Sequence, residues 1–216
     1  MNAKQRQAIE DYAKEQMAKL GLHGWPHVER VQRLSVQLSK NMKKVDPEVV
    51  ETAALLHDVG KYREKENKAV DHGGISAAMA EEFLNSIKFD GEKVAAVCHA
   101  IRVHTHGEEP RSVEAKILHD ADFLDKMGAV GVATLFIKAC LTNATIEESA
   151  EFWRHPSRDS YVGLHALWLQ KPHYYTRAAG TLAKKRNKLV YVFFKQLEKE
   201  IALTDVQASG YMGSRR

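Results

Sequence analysis

Six residues of this chain combine reactive chemistry with an inward-pointing position: His27, the adjacent pair His57 and Asp58, His104, Asp122 and Asp125. At 100° of rotation per residue, Val31, Leu34 and Leu38 fall within about 40° of His27, so its imidazole shares the apolar side of a helix. His57 lies within about 40° of Val50 and Ala53, His104 about 20° from Val97, and Asp125 about 40° from Ala121, with Asp122 at the edge of that stripe. By the same arithmetic His99 and His119 point to solvent. Buried carboxylates need a partner ion, so a set like this calls for a cation. Two imidazoles with two carboxylates suit Mn²⁺, Co²⁺, Fe²⁺ or Ni²⁺, with water completing an octahedron, and Mg²⁺ or Zn²⁺ are also compatible. Such an ion acidifies bound water and grips a phosphoryl oxygen, which permits hydrolysis near neutral pH without a covalent nucleophile.

Helical periodicity positions these residues and no stretch alternates long enough for a strand, which predicts an all-α fold. Helices are expected over Ala3 to Leu20, closed by Gly21, and from Trp25, with Pro26 in the first turn. Asp46 caps a helix that Pro47 opens and that runs from Val49 to His57, ending at Gly60. Further helices follow over Ile75 to Ile87, Glu92 to His104, Val113 to Asp125 and Gly128 to Leu141. Two shorter ones follow from Ile146, and a long amphipathic one comes after Pro172. The polar stretches Lys65 to Gly74 and Gly107 to Arg111 read as loops that could rim a pocket. Residues 1–205 are expected to form a single domain, with 206–216 a flexible C-terminal tail whose end, from Gly210, frays.

The ordered set of motifs resembles the HD-domain superfamily of metal-dependent phosphohydrolases, in its small stand-alone bacterial and archaeal form. The resemblance rests on His27 in GWPHVERV, on LLHDVGKY with His57 and Asp58, and on HDADFLDKMGAVGV with Asp122. Thirty residues separate His27 from His57 and sixty-four separate Asp58 from Asp122. It implies an HD-type helical bundle with its metal-site core at about residues 20–140, and places the metal ligands on His27, His57, Asp58 and Asp122. It also implies a soluble nucleotide as substrate, cut by pyrophosphohydrolase or phosphatase action, with manganese among the expected metals. Lys61, in the HDxGK form of the motif, is a candidate catalytic and phosphate-binding cation. His72, before Gly73 and Gly74 at a helix start, and His104 are candidate phosphate contacts. Asp58 and Asp125 join Lys61 in the catalytic set, Asp125 either orienting a ligand histidine or accepting a proton from water. Glu64 and Glu66 read as solvated loop charges and stay outside it. A non-catalytic alternative is a nucleotide-sensing or protein-binding helical module that keeps a structural metal.

Composition bounds the partners. Thirty-two basic and 28 acidic residues are interspersed along the chain, for a net charge of +4, which is not the pattern of a polycationic nucleic-acid binder. Lys184 to Lys188 make the long helix basic on part of its circumference, which reads as a solvated face. No apolar run approaches the ~18 residues that span a bilayer, so no membrane segment is expected. Cys98 and Cys140 lie in apolar stretches without a CxxC spacing and read as buried free thiols of a cytoplasmic protein. Amphipathic terminal helices are compatible with a homodimer. Seven of the eleven histidines, among them His23, His106, His155, His165 and His173, carry no assigned chemistry.

Overall fold

A computed structural model describes residues 1–18, 20–40, 42–66, 71–105 and 108–208. Gly107, His106 and the frayed end expected from Gly210 fall outside those residues, as does the middle of the Lys65 to Gly74 loop. The described residues contain helices and no strands, so the fold is all-α. The chain divides into two compact units, one of Met1–Asp125 with Tyr174–Gly180, the other of Lys126–His173 with Thr181–Arg216.

The first unit is built round one short helix. α1 (Ala3–Met17) and α2 (Trp25–Ser39) precede α3 (Pro47–Leu56), and α4 (Lys61–Glu66), α5 (His72–Ser86), α6 (Gly91–Arg102) and α7 (Val113–Asp125) follow it. α3 packs against α1, α2, α5, α6 and α7. Its sequence permits this, because Val49, Val50 and Thr52 to Leu56 are all buried, leaving it apolar almost all round. Asp46 starts it, accepting from the Glu48 and Val49 amides at 2.9 and 3.3 Å. Asp46 also meets Lys93 of α6 at 3.1 Å. Partial burial works against this carboxylate, but Lys93 and the two amides outweigh it and lower its pKa.

Three expectations are corrected here. The stretch after Gly60 is not all loop: α4 occupies Lys61–Glu66, with Lys61 and Glu64 paired one turn apart at 2.9 Å, and α5 begins as early as His72. His119 does not face solvent. It is buried, stacked on Phe123 with centroids 4.4 Å apart and edge-on to Tyr175 at 4.9 Å. Face arithmetic fails because α7 is buried on every side from Ile117 to Asp125. On the side His119 occupies, the returning segment is clamped by Asp120, which accepts from the Tyr175 and Thr176 amides at 2.9 and 2.7 Å. Cys98 is buried as expected, but Cys140 is exposed.

The second unit contains α8 (Gly128–Cys140), α9 (Ile146–Arg154), α10 (Tyr161–Gln170), most of α11 (Arg177–Ile201) and α12 (Thr204–Ala208). Helices α8, α9 and α10 pack on one another. Phe194 of α11 is fully buried and stacks on Trp153 of α9 at 4.4 Å. His165, fully buried, donates from Nε2 to the Gly131 carbonyl at 2.9 Å.

The Asp46 cap yields a stability prediction. Because the folded carboxylate pKa is depressed, its contribution is present above the ordinary value of about 4 and fades as pH falls through and below it. Asp46→Ala is expected to destabilise the protein at pH 7 by about 1 kcal/mol through the lost cap. Thermal melts from pH 7 down to pH 3 should show the gap to wild type closing at the acid end; a constant gap would contradict this origin.

Candidate metal centre

α3 is followed directly by His57, its C-cap, and by Asp58, and this turn delivers both to the middle of the first unit, where they are 0% and 3% exposed. Gly60 then passes so close to α5 that a Cβ would lie 2.8 Å from the Ser76 amide and 2.7 Å from Ile75 Cγ2. Its φ is not in the left-handed region, so the glycine serves close approach rather than a helix-capping turn. Its amide donates to Ser76 Oγ at 3.0 Å, fixing the position of α5 and so of His72.

Three imidazoles are aimed by their Nδ1 atoms. His57 Nδ1 lies 2.8 Å from the Ala54 carbonyl and His104 Nδ1 2.6 Å from the Ile101 carbonyl. A carbonyl only accepts, so each Nδ1 carries the proton and each Nε2 presents a lone pair. His27 Nδ1 meets Asp125 Oδ2 at 2.8 Å, which turns its Nε2 the same way. The outcome is convergence: His27 Nε2 stands 3.3 Å from His57 Nε2, 3.4 Å from Asp122 Oδ1 and 3.7 Å from Asp58 Oδ2. Asp58 Oδ2 is also 3.7 Å from His57 Nε2, while Oδ1 faces His104 Nε2 at 3.6 Å and His72 Nε2 at 3.5 Å.

Donors bound to one ion at about 2.0–2.2 Å stand roughly 3–4 Å from one another, the range found here. Two facing lone pairs with carboxylates beside them repel unless a cation lies among them, so the donor set fits a divalent ion. The ionisation behaviour points the same way. Burial, helped by His104 and His27, pushes His57 down to about 4 and keeps it neutral despite Asp58. Burial opposes the charge of Asp58, yet its neighbours His57, Lys61, His104 and His23 hold it well below the carboxylate range. His27 is raised to about 9, because hydrogen bonds to Asp122 and Asp125 outweigh the burial that would lower it. A proton there answers the same negative field that a metal ion would.

Both oxygens of Asp125 are engaged. Arg30 donates from Nε to Oδ1 at 2.6 Å and from Nη2 to Oδ2 at 2.9 Å, beside the contact to His27. Burial opposes the charge of Asp125 but His27 and Arg30 lower its pKa. These contacts are those of a carboxylate that orients His27 and pairs with Arg30. At the other side of Asp58, the Lys61 ammonium lies 3.0 Å from His72 Nε2 and 2.9 Å from Glu64 Oε2. Glu64 Oε1 reaches His72 Nδ1 at 3.1 Å. Burial raises Glu64, but His72 and Lys61 bring it down to about 2. His72 is therefore a buried helix-start residue rather than a loop residue, and Glu64 is tied to the site instead of being solvated.

The structure thus gathers His27, His57, Asp58, Lys61, His72, His104, Asp122 and Asp125. The sequence reading missed two residues. His23 stands with its Nδ1 3.6 Å from Asp58 Oδ2, and burial pushes it down to about 4 although Asp58 raises it. It lies before α2, where helical periodicity says nothing; its spacing of four from His27 was the available signal. Arg30 shares a helix side with His27, three residues on, and a basic residue beside a buried stripe was the clue there.

The HD domain model matches residues 24–127. The uncharacterized protein YpgQ of Bacillus subtilis is 30% identical over 193 residues, 87% of this chain and 88% of that protein. The crystal structure of YpgQ in complex with ADP superposes with a TM-score of 0.68 at 27% identity, over 91% of this chain and 95% of that one. A predicted HD superfamily hydrolase from an uncultured Thermotogales bacterium gives 0.65 at 26% identity, over 93% and 99%. The chain belongs to the HD-domain family. It is a metal-dependent phosphohydrolase of the HD superfamily.

Orienting carboxylates of this kind typically carry 10–100-fold in metal affinity. Asp125→Asn is expected to weaken Mn²⁺ binding by roughly that factor, and Arg30→Gln by somewhat less, as read by calorimetric titration at constant fold. Equal affinity in both variants would show that His27 needs no orienting partner.

Proposed function

We propose that the protein hydrolyses a phosphate ester or anhydride of a soluble nucleotide, as a pyrophosphohydrolase or phosphatase. The observation that carries this reading is the convergence of the three Nε2 atoms on the Asp58 carboxylate, with each Nδ1 tied elsewhere. In this reading His27, His57, Asp58 and Asp122 hold a divalent ion, with Mn²⁺, Co²⁺, Fe²⁺ or Ni²⁺ the best match to mixed imidazole and carboxylate donors. A bound ion of this kind neutralises phosphoryl charge and lowers the pKa of water to about 7.

The chain's own groups do the rest. Lys61, beside His72 and one turn from Glu64, presents a fixed cation to a non-bridging phosphate oxygen, and His72 and His104 flank Asp58 Oδ1. Asp58 stays ionised throughout, so it orients and holds charge rather than storing a proton. In the hydrolysis itself water oxygen bonds to phosphorus, the bond to the leaving oxygen breaks, and that oxygen departs with a proton or as a phosphate anion. A nucleotide is favoured over other phosphoesters because YpgQ, similar over nearly the whole length, has been crystallised with ADP. The described residues contain no helix long and apolar enough to cross a membrane.

The test is turnover of a nucleotide and simple phosphoester panel with each divalent metal in turn. Activity on nucleotides, loss on chelation, a drop of at least ~10³-fold for Asp58→Ala and of ~10–10²-fold in kcat/KM for Lys61→Ala are expected. Tight nucleotide binding with no turnover under any metal would instead identify a sensing module, and turnover confined to non-nucleotide esters would overturn the substrate class.

A further inference from the structure

We propose that Glu64 is a specificity-determining residue of the phosphohydrolase site: its carboxylate occupies the groups that a substrate phosphate needs, and a terminal phosphate displaces it where a phosphodiester does not. The inference rests on the reading of Lys61 and His72 as phosphate contacts. α4 is short, but it sets Glu64 three residues after Lys61, so the two side chains meet on one side of the helix. The carboxylate divides its oxygens between two partners. Oε2 stands 2.9 Å from the Lys61 ammonium and Oε1 stands 3.1 Å from His72 Nδ1. The ammonium closes the triangle, 3.0 Å from His72 Nε2.

This arrangement has the form of a bound phosphate. Two anionic oxygens bridge a lysine and an imidazole whose Nε2 lies 3.5 Å from Asp58 Oδ1, at the edge of the metal centre. The second place where an anion is expected, the start of α5, is also filled from within the chain. There Asp71 accepts from the Gly73 and Gly74 amides at 3.1 and 3.0 Å. Glu64 differs from that cap in having an exit. Its side chain is 35% exposed, against 17% for Lys61 and 10% for His72, so rotation about its own χ angles carries the carboxylate into water while its partners stay in place.

Charge decides what can take its place. Displacing Glu64 removes a single negative charge from beside Lys61. A terminal phosphate brings about −1.5 to −2 charges at neutral pH and three oxygens free to accept, so the exchange gains attraction. A phosphodiester brings a single charge and two free oxygens, which does no more than replace what left. If Glu64 stays, the diester faces a like charge across a few ångströms. Glu64 therefore favours phosphomonoesters and the ends of nucleotide polyphosphates over diesters, by opposing the wrong substrate rather than by gripping the right one.

The experiment compares the full chain at saturating Mn²⁺ with Glu64→Gln, which keeps the shape and removes the charge, and Glu64→Asp, which keeps the charge and draws it back by one methylene. The position is partly exposed, so circular dichroism should show both variants folded. Inorganic phosphate binding, followed by calorimetry, is expected to tighten ~10-fold in Glu64→Gln, with Glu64→Asp between it and wild type. The ratio of kcat/KM for bis(p-nitrophenyl) phosphate to that for p-nitrophenyl phosphate is expected to rise at least ~10-fold in Glu64→Gln, through KM. The proposal is overturned if Glu64→Gln binds phosphate no more tightly than wild type, or if the diester to monoester ratio stays where it was. A carboxylate that only props Lys61 in position would weaken phosphate binding and lower both rates together. Phosphate binding by neither protein overturns it as well. The substrate reading fails separately: both signatures in a protein that turns over no nucleotide would discard the nucleotide class and leave the role of Glu64 standing.

Discussion

The structure depends on burying Asp58. A carboxylate 3% exposed at the end of an apolar helix is costly unless positive charge and hydrogen-bond donors surround it. Five imidazoles and Lys61 stand round it, contributed by α2 and the segment before it, by the turn after α3, and by α4, α5 and the turn after α6; His57 and His104 turn lone pairs to it, so the positive charge falls to Lys61, to protonated His27 or to a cation among the donors. The remaining architecture can be read as what it takes to hold so many elements round one point. α3 is apolar almost all round because five helices pack on it, and Gly60 lacks a side chain because α5 must come within contact of the main chain.

Much of this was legible in the sequence. The stripes that include His27 and His57 run on helices with one buried side or none exposed, and there rotation per residue predicts burial directly. The Asp46 cap and Pro47 start were equally plain, because capping is decided within four residues. His119 was misread for a physical reason: periodicity reports one boundary between core and water, and α7 has none over its second half. Asp122, placed at the edge of a stripe, is as buried as Asp58 for the same reason. His23 and Glu64 belong to segments whose positions are set by tertiary partners, so helical periodicity does not announce them, and His23 is marked only by its spacing of four from His27.

The second unit shows the converse failure. Apolar residues around Cys140 suggested a buried thiol, yet α8 is apolar on both sides, with Val132, Leu135 and Ala139 buried, Val130, Ile137 and Cys140 exposed, and Lys138 inside. Where a helix is apolar on both sides, composition alone does not say which side is inside.

The manner in which the imidazoles are aimed carries a consequence for how such a site can change. His57 and His104 are steered by carbonyls of their own helices, at Ala54 and Ile101, and a main-chain oxygen is present whatever side chain the position carries. No single side-chain replacement can rewrite the tautomer of either ring. His27 alone is steered by a side chain, Asp125, itself held by Arg30. Two of the rings are therefore hard-wired by the backbone and one is on a dial, so drift in metal preference has one inexpensive route, through positions 125 and 30.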